Sequence, residues 1–563
     1  MTSKSLLHIF LLLLGVNSQF LRFLHPPKEP FNYSSYSSIS TDENLDGKTL
    51  TSTQADQNVV YITKSGIVIT NSNLNKESGN NTKARNRELS GVNSALLVNG
   101  GNLTMTGGTI TTKIEEANAL VVTNNGSIKI TDTEITTTGS KSAIGIHSTF
   151  KGKVEANNIK ITTQGNSSAA LSSGRGEGSI ICTGCNLTTN GYDSPLINSK
   201  GNITISKTEG TATQSQAIVM KGKSTVTLED SSYLKCNGLS HKKNKTQCAV
   251  KIHQSKPGDE HFGGSKFNCS NSTIEILETS SVYSTAPMFY ITNTKTQINL
   301  EECVFKYGSN IFLNIKGKSE FEHPSPNGGE VVLNLTNQNI EGDFIVDNRS
   351  RLTINLINST IKGKINANNT AAKLAINLDK DSNITLTGNS YYTSLINEKT
   401  DGSNLINGSY KWTSVPEKEI KMPPKDGKPG SPRGPPPGNR TEGMPPFNGT
   451  KPHHNKTAPF NSTKPPHDDK PPFDPSKPPC DSSHPPPGNP KAPGNNSTQK
   501  NQTTDPSPNA FSNKNNNNNN NTNIEDEDDD MTYDDIQQYV KNGEEKLNSY
   551  YYLTLILILT IIS

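Results

Sequence analysis

The stretch GSIKITDTEITTT (residues 126–138) decides the fold of this chain. Apolar and polar residues alternate in it, which puts Ile128 and Ile130 on one face of a strand and their polar neighbours on the other. A second strand-like piece, EITTT, follows after a short interruption. Gly and Asn separate such pieces throughout the region, and both tolerate the positive φ that tight corners require. The stretch therefore predicts two short strands joined by a tight turn.

The same pattern recurs along the chain with an early spacing of about 24 residues, and self-similarity at such a period indicates stacked supersecondary units. A short apolar run precedes each alternating stretch. The runs are SALLV (94–98), NALVV (118–122), SAIGI (142–146), SAALS (168–172), SPLIN (194–198), QAIVM (216–220) and CAVKI (248–252). Three short strands per repeat describe one coil of a parallel β-helix.

We therefore predict an all-β chain whose ordered part, residues 55–413, is a right-handed parallel β-helix of about twelve coils, roughly 55–60 Å long. Each coil needs only a few inward Val, Ile or Leu residues, which suits a chain of 563 residues with 30% hydrophobic content. An array of immunoglobulin-like sandwiches is the alternative, but such domains need about 100 residues each. The 24-residue period is too short for them.

This architecture resembles the pectin-lyase-like superfamily, and it is similar to β-helical cell-surface adhesins, in coils such as GGNLTMTGGTITT (100–112). The resemblance implies either binding to surfaces and glycans or processing of polysaccharides. Polygalacturonases of that superfamily use Asn-Thr-Asp, Asp-Asp, Gly-His-Gly and Arg-Ile-Lys motifs, and this sequence does not assemble such a set. We expect no enzymatic activity, no catalytic residues, no metal site and no cofactor.

The N-terminus predicts secretion. Lys4 precedes the apolar run LLHIFLLLLG (6–15), and small residues follow before Gln19. This run is shorter than the roughly 20 residues that a spanning helix needs, so residues 1–18 are interpreted as a cleaved signal peptide. Residues 19–54 are expected to be an N-terminal cap or linker.

The C-terminal part is predicted to be a stalk and an anchor. Residues 414–510 are rich in proline, and residues 511–542 contain an asparagine run and an acidic run, so both segments are expected to be disordered. The apolar tail at 543–563 is typical of a glycosylphosphatidylinositol (GPI) signal, with Asn542 as the candidate attachment residue. A short membrane-spanning tail is the alternative.

Asparagine sequons and cysteines are the other candidate sites. About two dozen Asn-x-Ser/Thr sequons occur, and the glycosylation candidates are Asn102, Asn125, Asn166, Asn186, Asn202, Asn334, Asn358 and Asn383. Disulfide candidates are Cys182, Cys185, Cys236, Cys248, Cys269 and Cys303. Cys236 with Cys248 and Cys269 with Cys303 are reasonable pairs, while Cys182-Thr-Gly-Cys185 suits a local disulfide better than a redox or zinc motif. Cys480 is either unpaired or links two chains.

Taken together, the sequence predicts a glycosylated protein on the outer leaflet of the plasma membrane that acts in adhesion or as a coat component. Expected partners are glycans or cell-surface and extracellular-matrix ligands, together with the membrane through the lipid anchor. A formal net charge of +3 without a basic face disfavours nucleic acid. Polysaccharide binding or processing and a coat without a specific ligand are the alternatives. Tyr391, Tyr392 and Trp412 provide either stacking faces for a sugar or, more simply, a cap on the last coil.

Overall fold

A computed structural model describes residues 37–81, 90–174, 176–240, 246–254, 264–317 and 328–420. These residues belong to one of the two units into which the chain divides, and the other unit, residues 426–527, lies outside the described residues. The predicted signal peptide, spacer and anchor also lie outside them, as do Asn542, Cys480 and residues 421–510 of the predicted stalk. Residues 414–420, the start of that predicted stalk, are described.

The described residues form a right-handed parallel β-helix, as predicted. Three long sheets, named A, B and C here, run along the solenoid and take no more than one strand from each coil, and the strand pairings among the described residues are parallel. Parallel strands of one sheet need a crossover connection, and here each crossover is the rest of the coil.

Sheet A contains β1 (Ser37–Thr41), β4 (Gln57–Ile62), β7 (Leu96–Asn99), β10 (Leu120–Thr123), β13 (Ile146–Ser148), β16 (Leu171–Ser173), β19 (Ile197–Ser199), β22 (Ile218–Lys221), β25 (Val250–His253), β28 (Phe289–Thr292), β31 (Ile311–Ile315) and β34 (Asp343–Val346). Sheet B contains β2 (Leu45–Asp46), β5 (Ile67–Thr70), β8 (Asn102–Thr106), β11 (Ser127–Thr131), β14 (Lys153–Asn157), β17 (Ser179–Thr183), β20 (Asn202–Ser206), β23 (Thr225–Glu229), β26 (Ser265–Ser270), β29 (Thr294–Glu301), β32 (Gly329–Thr336), β35 (Arg351–Ile357), β37 (Lys373–Leu378) and β40 (Ser394–Asn397).

Sheet C contains β3 (Thr49–Ser52), β6 (Asn73–Lys76), β9 (Thr109–Thr112), β12 (Glu134–Thr137), β15 (Lys160–Thr163), β18 (Asn186–Thr189), β21 (Glu209–Ala212), β24 (Tyr233–Cys236), β27 (Thr273–Ile276) and β30 (Val304–Lys306). Two smaller sheets complete the C-terminal coils. Sheet D contains β33 (Asn339–Glu341), β36 (Thr360–Gly363), β38 (Asn383–Leu386) and β41 (Leu405–Ile406), and sheet E contains β39 (Ser390–Tyr392) and β42 (Trp412–Ser414).

The number of coils agrees with the prediction of about twelve, since sheet A has 12 strands and sheet B has 14. The first coil begins earlier than expected. β1 starts at Ser37, inside the segment interpreted as a cap or linker, and it pairs in parallel with β4. The short strands β2 and β3 contain too few apolar residues for this coil to be predicted from the sequence.

The core is a narrow channel filled by inward side chains that stack in register. In sheet B, Leu103, Ile128, Val154, Ile180 and Ile203 occupy one such column, and each is 3% exposed or less. Between β26 and β34, four phenylalanines replace aliphatic residues in the core, and a fifth, Phe305, is half-buried against it. They pack against one another with ring centroids 5.3–5.7 Å apart, and the four core residues are Phe267, Phe289, Phe312 and Phe344. Edge-to-face contacts of this kind are a preferred aromatic geometry.

The corner between sheets B and C repeats a single positive-φ residue. Asp132 (φ 52°), Asn158 (φ 50°) and Gly184 (φ 64°) bend three successive coils in this way. Asn, Asp and Gly accept the left-handed region most readily, so the composition of these corners follows from their geometry.

Lys76 is a buried cation at the end of β6. Its Nζ donates to Ser52 Oγ at 3.2 Å and to the carbonyl of Gln57 at 2.9 Å, and it also donates to the carbonyl of Gln54. Burial lowers the pKa of this amine from 10.5 to about 8, and the charge of Asp56 opposes part of that shift. The amine therefore links the first two coils by hydrogen bonds to one hydroxyl and two backbone carbonyls.

We predict that Lys76 makes stability depend on pH. Between pH 8 and 10.5 the folded chain holds fewer protons at this amine than the unfolded chain, so the free energy of unfolding rises with pH across that window. The Lys76→Met variant lacks this contribution. Urea unfolding followed by circular dichroism at several pH values should show the stability of the native chain increasing relative to the variant.

Burial raises the pKa of the Cys236 thiol from 9.0 to about 12, which lowers stability as pH rises above 9. Both proteins carry this thiol, so its effect cancels in the comparison. A difference between them that stays constant with pH contradicts the prediction for Lys76.

Candidate functional surface

Sheet B widens in the C-terminal half of the solenoid. The sheet B strands from β8 to β23 have five residues each, whereas β29 and β32 have eight, β35 has seven and β37 has six. Four such strands make an area of about 25 Å along the strands and about 19 Å across them. We name the outward side of β29, β32, β35 and β37 the amide platform. It is the broadest sheet face among the described residues.

An asparagine ladder runs through the centre of the platform. Nδ2 of Asn299 donates to Oδ1 of Asn268 at 2.8 Å, and the steps from Asn334 to Asn299, from Asn355 to Asn334 and from Asn377 to Asn355 are each 2.7 Å. Asn268 continues the ladder to Thr227 Oγ1 at 3.0 Å. Each amide has a second N–H, so every rung retains capacity for an outside partner. The second lone pair is also left at each oxygen except that of Asn299, which accepts from Gln297 Nε2 at 3.0 Å as well.

Register, rather than sequence spacing, brings these asparagines together. Asn268, Asn299, Asn334, Asn355 and Asn377 are directly opposed in consecutive pairings of sheet B. They are 31, 35, 21 and 22 residues apart in the chain. The sequence reasoning missed the ladder because these unequal spacings hide the repeat. The Ile-Asn-Leu, Leu-Asn-Leu, Ile-Asn-Leu and Ile-Asn-Leu tripeptides that contain the last four rungs were the available signal.

Charges lie along one edge of the platform and neutralise one another. Lys295 is 3.1 Å from Glu330, and Glu417 contacts both Arg351 (3.7 Å) and Lys373 (3.6 Å). Glu417 follows the last strand and reaches back to this edge. These ion pairs are solvent-exposed, so each contributes little stability. Their effect is to leave the platform without an excess of either sign.

The rest of the platform is uncharged apart from Glu301 at the end of β29. Val332 and Ile357 lie on opposite sides of the ladder and are 37% and 56% exposed. Thr353 is directly opposite Val332, and Thr336 is directly opposite Ile357. Isolated exposed apolar residues are common on soluble proteins. Here they lie beside an ordered row of amides, which gives the face both hydrogen-bonding and apolar contact capacity.

The outward face of sheet C has a different character. Tyr233 donates to Glu275, Lys306 Nζ is 3.2 Å from the Tyr233 hydroxyl, and Lys235 Nζ is 4.4 Å from the centre of its ring. The hydrogen bond to Glu275 is the main cause that raises the pKa of Tyr233. Since cations, carboxylate and hydroxyl contact one another, this cluster is best explained as a set of bonds between neighbouring strands.

Two disulfides are formed. Cys182 pairs with Cys185 across the corner after β17, and Cys269 pairs with Cys303 between successive coils. The expected pair of Cys236 with Cys248 is not formed, and both are buried thiols. Cys236 packs in the hydrophobic core, whereas Cys248 is buried outside that core. The two side chains therefore lie in different environments.

Most of the candidate glycosylation sites are accessible. The side chains of Asn102, Asn125, Asn166, Asn186, Asn202 and Asn358 are exposed, and those of Asn334 and Asn383 are half-buried. Asn334 is also a ladder residue. A glycan on it would cover the centre of the platform, whereas the six exposed sites lie outside the platform strands.

Tyr392 and Trp412 stack at the end of the solenoid with ring centroids 5.1 Å apart. Both are partly buried against the core, and their strands β39 and β42 form sheet E. Tyr391 is half-buried in β39. This placement favours a cap over an open stacking site for sugar.

A shallow cleft beside β34 has a volume of about 160 Å³, below the roughly 300 Å³ at which ligand pockets begin. Within the described ranges, no group of three or more His, Cys, Asp or Glu residues is placed to hold a metal ion. None of the described residues forms a helix long and apolar enough to cross a membrane.

Comparisons with models of protein families, with curated proteins and with solved structures found no match for this chain.

We predict that the ladder is energetically coupled. Asn334→Ala and Asn355→Ala each remove hydrogen bonds from the neighbouring amides and should each cost about 1 kcal/mol. Because the two residues share one bond, the double variant should cost less than the sum of the two by about 0.5–1.5 kcal/mol. Chemical unfolding of the four proteins in a double-mutant cycle measures this.

The control combines Asn334→Ala with Asn102→Ala. Asn102 donates to Ser127 on the next coil and lies eight strands away in sheet B, more than about 30 Å. That pair should be additive. Additivity in both cycles would show that the ladder contributes nothing as a unit.

Proposed function

We propose that this chain is a glycosylated, non-enzymatic protein of the cell surface, in which the β-helix is an adhesive head or coat unit that binds its partner on the amide platform. The observation that carries the proposal is the asparagine ladder at the centre of a wide and nearly neutral face. Rigid stacked coils hold the amides in a fixed row, so a partner meets them without further ordering.

Two features support binding on this face. Each amide is hydrogen-bonded to the next, so its conformational entropy is already lost before a partner binds. The bond along the ladder uses one N–H of each amide and leaves the other for a partner. The paired charges at the edge add no strong field. Affinity on such a surface comes from contact area and hydrogen bonds, and it should depend only weakly on salt.

Binding of a glycan on the platform is the second candidate function. Amides donate and accept hydrogen bonds, as sugar hydroxyls do, and a polymer lying along the solenoid axis meets one rung every 4.8 Å or so. A polysaccharide-processing activity has less support. Glycoside hydrolysis requires two carboxylates close together, but Glu301 and Glu330 on the platform lie on different strands and at opposite ends of them.

We predict that Thr353→Lys weakens binding of the full chain to cells or extracellular matrix. Thr353 is half-exposed between Val332 and Ala375 on the platform, so a lysine there adds a charge without breaking the ladder. Binding is measured by flow cytometry on cells and by surface capture on matrix.

The matched control is Thr162→Lys, the same substitution at a half-exposed outward position of β15 in sheet C. Circular dichroism checks that both variants fold. Equal binding by Thr353→Lys and the native chain would remove the platform from the proposed function.

The membrane attachment is tested on the native protein. We predict that phosphatidylinositol-specific phospholipase C releases it from intact cells, because the apolar tail is proposed to be exchanged for a lipid anchor. An antibody against the head detects the released chain. Retention of the protein on treated cells, with a known GPI-anchored protein released in parallel, contradicts a cleavable lipid anchor.

A further inference from the structure

We infer that the partner of the amide platform is the platform of a second copy of this chain, so that adhesion is homophilic. The inference rests on the proposed function, because it assigns a binding role to the same face. Its basis is that the platform is complementary to itself in hydrogen bonding, charge and apolar contact.

Hydrogen bonding provides the first argument. In a two-fold interface the same patch occurs on both sides, so every group must tolerate a copy of its neighbours. A primary amide both donates and accepts, and a row of amides can therefore pair with another row. A face built from carboxylates or lysines alone cannot do this without repulsion.

Charge provides the second argument. The platform and its edge carry three cations, Lys295, Arg351 and Lys373, and three anions, Glu301, Glu330 and Glu417. Five of the six are engaged in ion pairs with one another. Two such faces can approach with no net repulsion, whereas an acidic or a basic partner gains no electrostatic attraction from this face.

The area of the platform provides the third argument, and it indicates how strongly two chains should associate. About 25 Å by 19 Å gives roughly 500 Å² for each copy, or about 1,000 Å² in total. That is the lower limit for a specific interface, so a pair of isolated chains should associate weakly and reversibly. Val332 and Ile357 add apolar contacts that a purely polar face would lack.

Pairing of two platforms requires that Asn334 carry no glycan. Its sequon lies in β32, at the centre of the proposed contact, and a glycan there would hold two platforms apart. The dimer must therefore consist of chains that are unmodified at Asn334. Glycopeptide mass spectrometry of the dimer fraction checks this, and a fully occupied Asn334 in that fraction overturns the inference.

Sedimentation velocity of the purified full chain over a wide range of concentration is the main test. We expect a reversible monomer–dimer equilibrium that Thr353→Lys weakens at least about tenfold, because two like charges then face each other across the contact. Thr162→Lys should leave the equilibrium unchanged. If Thr353→Lys does not fold by circular dichroism, Ile357→Lys takes its place, since that side chain is 56% exposed.

The outcomes separate the inference from the proposed function. A chain that stays monomeric at every concentration overturns homophilic pairing, and loss of cell binding by Thr353→Lys then preserves the platform as a site for another partner, such as a glycan. A dimer that both variants weaken equally, or that only Thr162→Lys weakens, overturns the inference as well. A dimer sensitive to Thr353→Lys alone supports it.

Discussion

The parallel register between successive coils is the constraint on which the rest of this structure depends. Backbone hydrogen bonds join each coil to the next, so a residue's position in one coil fixes what lies above and below it. Inward positions then form a continuous apolar column, and outward positions form surface rows. A chain with only 30% hydrophobic residues folds in this way because each coil adds a small amount of core to a stack.

Asparagine ladders are a direct consequence of that register. When the same residue recurs at one outward position, its amide meets an identical amide one strand away, and stacked amides of this kind also stabilise other parallel, in-register sheets. In this chain every rung donates toward the N-terminal side, from Asn377 through Asn355 and Asn334 to Asn299. Hydrogen bonds aligned in one direction polarise one another, which favours the row over isolated pairs.

The fold could be predicted from the sequence, whereas the candidate site could not. Residues 94–234 show a nearly constant period and strict alternation, and these determine strand, turn and coil. The ladder lies where the spacing between equivalent residues varies from 21 to 35, so only the three-dimensional register reveals which asparagines are opposed. Lys76 was missed for a related reason, since its burial depends on Ser52 one coil earlier. Cys236 and Cys248 are close in sequence, but they pack in different environments.

The size of the platform bears on where such a protein can work. A contact of about 1,000 Å² is too small to hold two dilute, freely diffusing chains together for long. Many copies fixed on one surface engage together, and the high effective concentration then raises the overall avidity without any new contact. A rigid solenoid helps because all of its copies present the ladder in the same geometry. Weak pairing on a small, self-complementary face therefore fits a protein displayed in many copies better than one acting alone in solution.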